Sequence, residues 1–241
     1  MLLSLSTIQS LVTTVLMLCA YGFSATLTEA GQAWVALKAG DDSAAKHGWL
    51  SLNPFDHIDA VGIFLVIFLG FPWASIFPIQ PHKIPADFSS IIKRFFVYCV
   101  QGIISLIIAI FALIILVLTL GDKSVSPAFS GFWSGVPLTE FTRLFPSYSS
   151  FAIISTLFLV SLVFCNLFIG PISLISNTVY YLFYLIGRRQ KYNAVSIMHS
   201  TMVVWILSFG FIILFSDVLR NIFLTIIMHS ALLISRLSGG I

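Results

Sequence analysis

The residues best equipped for chemistry sit inside an apolar stretch: Thr28-Glu29-Ala30-Gly31-Gln32. Positions 28 and 32 are four apart, so in a helix they share one face. Two imidazoles at that spacing would hold a zinc ion, with the acid between them as general base on a metal-bound water. In such a site the ion lowers the water's pKa from about 16 to about 7, roughly 12 kcal/mol of proton affinity. Here the two flanking residues are a hydroxyl and a carboxamide, both poor zinc donors beside imidazole. Glu29 alone does not replace the metal, and the expectation is a site without zinc.

Other candidates are sparser. His57 and Asp59 are two apart, and imidazole with carboxylate is a workable zinc set; a structural role in a loop is the simpler reading. The remaining ionisable groups in apolar segments are His199, Asp217 and His229. A charge near a bilayer centre costs about 2.5–3.5 kcal/mol, so each needs a reason. Asp217 and Arg220 are three apart and suited to pair on one helix face, and His229 is expected to be neutral. Cys19, Cys99 and Cys165 lie in separate apolar segments without metal-like spacing. They read as small buried hydrophobes.

The elements that must position these groups are membrane helices. The chain is 59% hydrophobic and 9% charged, where soluble domains carry about a quarter charged residues. Several apolar runs approach or exceed the roughly 20 residues that span a bilayer. The expected fold is an all-α polytopic membrane protein, one domain over residues 1–241, with about six membrane helices. The first segment runs from Leu2 through the Thr28–Gln32 pentapeptide to about Lys38, and residues 43–58 are expected at a membrane surface. The apolar stretch 61–76, interrupted by Gly70 and Pro72, is short for a span and reads as re-entrant or interfacial. A long span covers 91–120, a polar and aromatic extracytoplasmic loop 121–149, and a passage broken at Gly170-Pro171 runs over 151–186. A helix pair closes the chain within 195–241. Lysine and arginine gather in 38–58, 82–94 and 187–192, which the positive-inside rule places in the cytoplasm, with the amino terminus outside. No basic run with interleaved aromatics suggests nucleic acid.

Downstream of the pentapeptide come Gly40-Asp41, Gly48-Trp49-Leu50-Ser51-Leu52-Asn53-Pro54, His57-Ile58-Asp59 and Gly62. This series resembles the bacterial site-2 protease family of membrane-embedded zinc metalloproteases over residues 28–62. It follows that family's Gly-Asp, then Gly-x-Leu-Thr-Leu-Asn-Pro-x-x-His-x-Asp-Pro-x-Gly, departing at Ser51 and Ala60. In the family the pentapeptide reads His-Glu-x-x-His. The third ligand there is an Asp in a later helix, following an Asn-Leu stretch similar to Asn166-Leu167. Here no Asp occurs from Asn166 through Ser216. Of the family's Gly-Pro-x-x-Asn turn only Gly102 is kept. Trp73 with Pro78 and Pro81 resembles a remnant of its substrate-channel loop.

The resemblance implies a site-2-protease-like helical core with a re-entrant element, in which Thr28, Glu29 and Gln32 are relics and no zinc is bound. The function expected from it is that of a catalytically inactive accessory or assembly subunit in a bacterial inner membrane. It would bind another integral membrane protein through the former substrate groove, at Glu29, Gln32, Asn53, His57, Asp59, Trp73 and Asn166. The alternative is an active intramembrane zinc metalloprotease with relocated ligands. A transporter or channel, the third class, would be expected to show internal repeats, and the two halves differ in loop length and punctuation.

Overall fold

The computed structural model describes residues 7–72, 79–80, 83–84, 88–133, 142–143, 146, 148–187 and 216–237. These residues form seven α-helices and no strand: α1 Thr7–Ala39, α2 Ser43–Lys46, α3 Ala60–Leu69, α4 Phe88–Leu120, α5 Asp122–Trp133, α6 Ser150–Gly187 and α7 Ser216–Leu237. A 3-10 turn, Pro54–Asp56, precedes α3. Three helices are long and apolar enough to cross a membrane, at Leu11–Ala39, Ile92–Leu120 and Ser150–Val179. The expected count of six falls partly on residues outside those described, including 195–215.

α4 and α6 make the largest helix interface, and α1 packs on both. The α4–α6 crossing is set by Gly102 and Gly170. A Cβ built on Gly102 would lie 2.7 Å from the Gly170 carbonyl oxygen, so only glycine permits this backbone approach. Close contact at small residues is how membrane helices associate when lipid is as apolar as leucine.

Hydroxyls inside α1 are satisfied within the helix. Ser24 donates to the Ala20 carbonyl and Thr26 to that of Gly22, each at 2.7 Å, so their polarity is tolerated in an apolar setting. α1 stops at Gly40, which takes φ 109°. α3 has clear ends as well: Asp59 caps its first turn by accepting from the Gly62 amide, and Gly70 closes it in the left-handed region at φ 71°.

Four features differ from the sequence expectation. α6 runs unbroken through Gly170-Pro171, because packed membrane helices absorb a proline where an isolated helix would kink. The loop expected over 121–149 begins with α5. Its Phe129 and Phe132 are buried, and Phe132 lies 5.8 Å from Phe164 of α6. Of the three cysteines, Cys99 and Cys165 are buried but Cys19 is exposed. Residues 49–58 do not stay level with the end of α1. They run back along it, until Ile58 and Pro54 reach positions against Gly22.

Candidate functional site

The pentapeptide lies in the last third of α1 with its side chains turned inward. Thr28, Glu29 and Gln32 are each fully buried. Thr28 donates to the carbonyl of Ala25 at 3.2 Å. Gln32 reaches across to α4 and donates its amide to the Val97 carbonyl at 2.9 Å. Its Oε1 meets no hydrogen-bond partner among the described residues.

Glu29 is met by the segment that runs back along α1. The turn at Pro54–Asp56 is built by Asn53, whose side chain accepts from the Phe55 amide at 3.3 Å, with proline at the first helical position. That turn swings His57 inward, to 2% exposure. Nδ1 of His57 donates to Glu29 Oε2 at 3.0 Å. Nε2 donates to the Ser51 carbonyl at 2.7 Å. Both ring nitrogens therefore face acceptors, an arrangement best satisfied by the imidazolium. In keeping with it, the Glu29 hydrogen bond raises the His57 pKa above its ordinary value, against the opposing effect of burial. The Trp49 ring stands edge-on to the imidazole at 5.9 Å.

Gly62, at the end of the matching series, is required for a different reason. A Cβ there would fall 2.0 Å from the Tyr21 hydroxyl oxygen, so the start of α3 seats directly on α1. At the other end Asp41 is buried. It accepts from the Ser43 amide at 2.9 Å and from the Gln80 amide. Lys83 bonds Asp42 at 2.7 Å, and the Arg94 guanidinium donates to the Ile84 carbonyl. Gln80 and Lys83 are thereby fastened to the turn after α1, and Ile84 to α4. The lysines at 46 and 83 hold the exposed Asp42 carboxyl well below its usual range, Lys46 most.

Asn166 belongs to a second, separate polar set. Its Nδ2 donates to Ser24 Oγ at 2.7 Å and to the Leu162 carbonyl at 2.8 Å, while Ser105 donates to its Oδ1 at 2.9 Å. This joins α1, α4 and α6, and all three residues are fully buried. The seven groove residues expected from sequence thus divide. Glu29 and His57 come together, Gln32 is bonded to α4, and Asn166 is engaged elsewhere. Asn53 is exposed and Asp59 partly exposed as the α3 cap, while Trp73 lies outside the described residues. The partners Ser24, Ser105 and Tyr21 had no sequence signal beyond a polar atom in an apolar run, since they are set by contacts far apart in the chain. His229 also departs from isolation, bonding the Thr225 carbonyl one turn back at 2.8 Å.

The donor set does not fit zinc. A catalytic zinc takes three protein ligands and an open position. Here both His57 nitrogens are committed, Glu29 is bound to one of them, and Gln32 and Thr28 are directed to carbonyls. Among the described residues no three His, Cys, Asp or Glu side chains converge.

Over 57 residues, 24% of this chain, the sequence is 46% identical to a Bacillus subtilis (strain 168) protein described as "Putative zinc metalloprotease YwhC". The match covers 26% of that protein, so the chain spans about a quarter of the length of the curated relative it matches. No family model and no solved structure matches this chain. The identity supports a metalloprotease-like relationship for that quarter of the molecule, and the helices above support a membrane protein.

Proposed function

We propose that this chain is a site-2-protease-like integral membrane protein that has given up zinc chemistry and works by binding another membrane protein. One observation carries the reading: the face of α1 that would hold a metal is closed by hydrogen bonds within the chain. Glu29 is held by His57 and Gln32 by the Val97 carbonyl. An accessory or assembly role in a bacterial inner membrane goes with this reading, with the amino terminus extracytoplasmic and the apolar stretch 61–76 re-entrant. The buried Glu29–His57 pair then serves as a polar lock that fixes the 49–62 segment on α1, and contact with the partner falls to residues around it. The test is elemental analysis of untagged protein purified without chelators. Zinc well below one equivalent, together with a membrane protein recovered by crosslinking and mild-detergent pull-down, is the expected result.

The second reading is an active intramembrane metalloprotease with relocated ligands. It is favoured by the convergence of Glu29 and His57 and by the described activity of the relative. It requires stoichiometric metal that survives Thr28→Ala and Gln32→Ala but is lost in His57→Ala. It also requires cleavage of a transmembrane substrate that disappears in Glu29→Gln.

A further inference from the structure

The segment that locks α1 also exposes an edge that lipid cannot cover. Pro54 and Ile58 lie against Gly22, close to the middle of the α1 span Leu11–Ala39. At 1.5 Å per residue that 29-residue stretch is about 44 Å long, longer than a hydrocarbon core of about 30 Å, and Gly22 lies only about 5 Å from its centre. At that level the chain is not helical over 51–53 and makes only a short 3-10 turn after it. Irregular backbone at such depth occurs only where protein covers it or water reaches it.

The side chains separate those two possibilities. Phe55 is 85% exposed and Leu52 70%, which disfavours bulk water. Between and beside them Asn53 and Asp56 are also exposed, which disfavours lipid. Asn53 Nδ2 donates to Asp56 Oδ1 at 3.3 Å, and among the described residues no cation pairs with this carboxylate. The outer face of α4 is a contrast. Ile107, Ile110 and Phe111 are exposed there with no ionisable neighbour on that face, as a lipid contact should be. A surface that mixes large apolar groups with an exposed carboxylate, one that makes no ion pair among the described residues, is matched by another protein segment that brings both apolar area and a donor.

We infer that the edge formed by Leu52, Asn53, Phe55 and Asp56 docks a transmembrane helix of a different chain, one that presents a basic or hydroxyl side chain to Asp56. This rests on the partner-binding reading above and assigns it a surface and a chemistry. Phe55 is the apolar anchor. Asp56, exposed and bonded at Oδ1 by Asn53, is the polar determinant.

The experiment places a photoreactive benzoylphenylalanine at position 55 of the full chain in its native membranes, with position 111 on α4 as the lipid-facing reference. The expected product at 55 is a crosslink to a membrane-spanning peptide of another protein. A Lys, Arg, His, Ser or Thr should lie within about one turn of the linked residue. Position 111 should yield lipid adducts. Asp56→Leu should lower the protein adduct about tenfold, as expected when a site goes from nearly full to one-tenth occupancy, while Asp56→Glu should retain most of it. Asp56 is exposed, and an unchanged elution profile for Asp56→Leu would show that the fold persists. Lipid adducts alone at 55, adducts to a second copy of this chain, labelling by an impermeant aqueous reagent, or a yield indifferent to Asp56→Leu would each overturn the inference. If a pull-down still recovers a membrane partner in those cases, the surface is wrong and the partner reading stands. If it recovers none, both fall.

Discussion

Two polar clusters tie this bundle together, and they are built on opposite principles. The Ser24–Asn166–Ser105 set is neutral, links three helices, and gives its hydroxyls and the Asn166 amide acceptors. The Glu29–His57 pair is ionic and links a helix to an irregular segment, while Gln32, one turn along α1, bonds α4 and its Oε1 has no partner among the described residues. The first behaves as interhelical glue of the kind membrane proteins use throughout. The second keeps a buried charge that stability alone would not select, since an apolar replacement of a buried ion pair is commonly no worse. The difference separates what holds the bundle together from what was arranged for a site.

The comparison is broken most forcefully at Glu29. Glu29→Leu leaves the imidazole without its carboxylate in a buried position, a change that costs about 3–5 kcal/mol when a charge stays unpaired. Loss of the proton from His57 relieves part of this, so the lower end is expected. Glu29→Gln keeps an acceptor for Nδ1 and should cost less than half as much. Thermal unfolding in detergent, followed by loss of the monodisperse elution peak, ranks the two. If both variants melt with the wild type, the ionic cluster is not a lock.

Next in size is the helix crossing beside the neutral cluster. Gly102→Ala pushes a methyl to 2.7 Å from the Gly170 carbonyl and still closer to Leu174. Overpacking of this kind typically costs about 1–3 kcal/mol, and a backbone atom cannot rotate away as a side chain can. Asn166→Ala should cost less, about 1–2 kcal/mol. The reason is local: Ser24 already donates to the Ala20 carbonyl and Ser105 to the Asn166 backbone carbonyl at 3.0 Å. Both hydroxyls therefore remain satisfied when the carboxamide is gone. A larger loss for Asn166→Ala than for Glu29→Leu would invert the contrast between the clusters.

The ionic cluster should also be the pH-sensitive one. The His57 pKa is raised in the folded protein, first by its bond to Glu29. Such a group contributes fully below its unfolded value of about 6.5, and the contribution disappears as pH rises through the folded pKa. Melting temperature should therefore fall from pH 6.5 upward in the wild type, and the slope should flatten in Glu29→Gln. Asn166→Ala should keep the wild-type slope, because nothing in the neutral set titrates.

Much of this was legible in the residues. The α1 pentapeptide and the long apolar spans follow from local pattern, whereas the capping role of Asp59 and the bonds of Asn166 emerged only in the fold. Which face of each helix meets protein was not legible. In a bilayer the outward face is as apolar as the core, so periodicity does not distinguish Cys19, exposed, from Cys165, buried. The burial of Phe129 and Phe132 in α5 was hidden because interfacial aromatics and core aromatics have the same composition. The pairing of Glu29 with His57 spans 28 positions. It depends on a segment running back along α1, which no hydropathy window encodes.

The smallest expected effect is the sharpest check on the idea of an inherited site. Gln32 makes one bond, to a Val97 carbonyl that lies within α4 and is positioned to accept from the helix's own amide four residues on. Its other polar atom is buried without a partner. Gln32→Leu therefore removes one shared hydrogen bond and at the same time relieves one unsatisfied acceptor. Each is about 1 kcal/mol and they oppose, so unfolding should shift by less than about 1 kcal/mol in either direction. A residue kept for stability would show a clear loss on this change. A near-neutral melt would mean that Gln32 adds nothing to the fold, whereas Asn166→Ala in the neutral cluster is expected to show a loss.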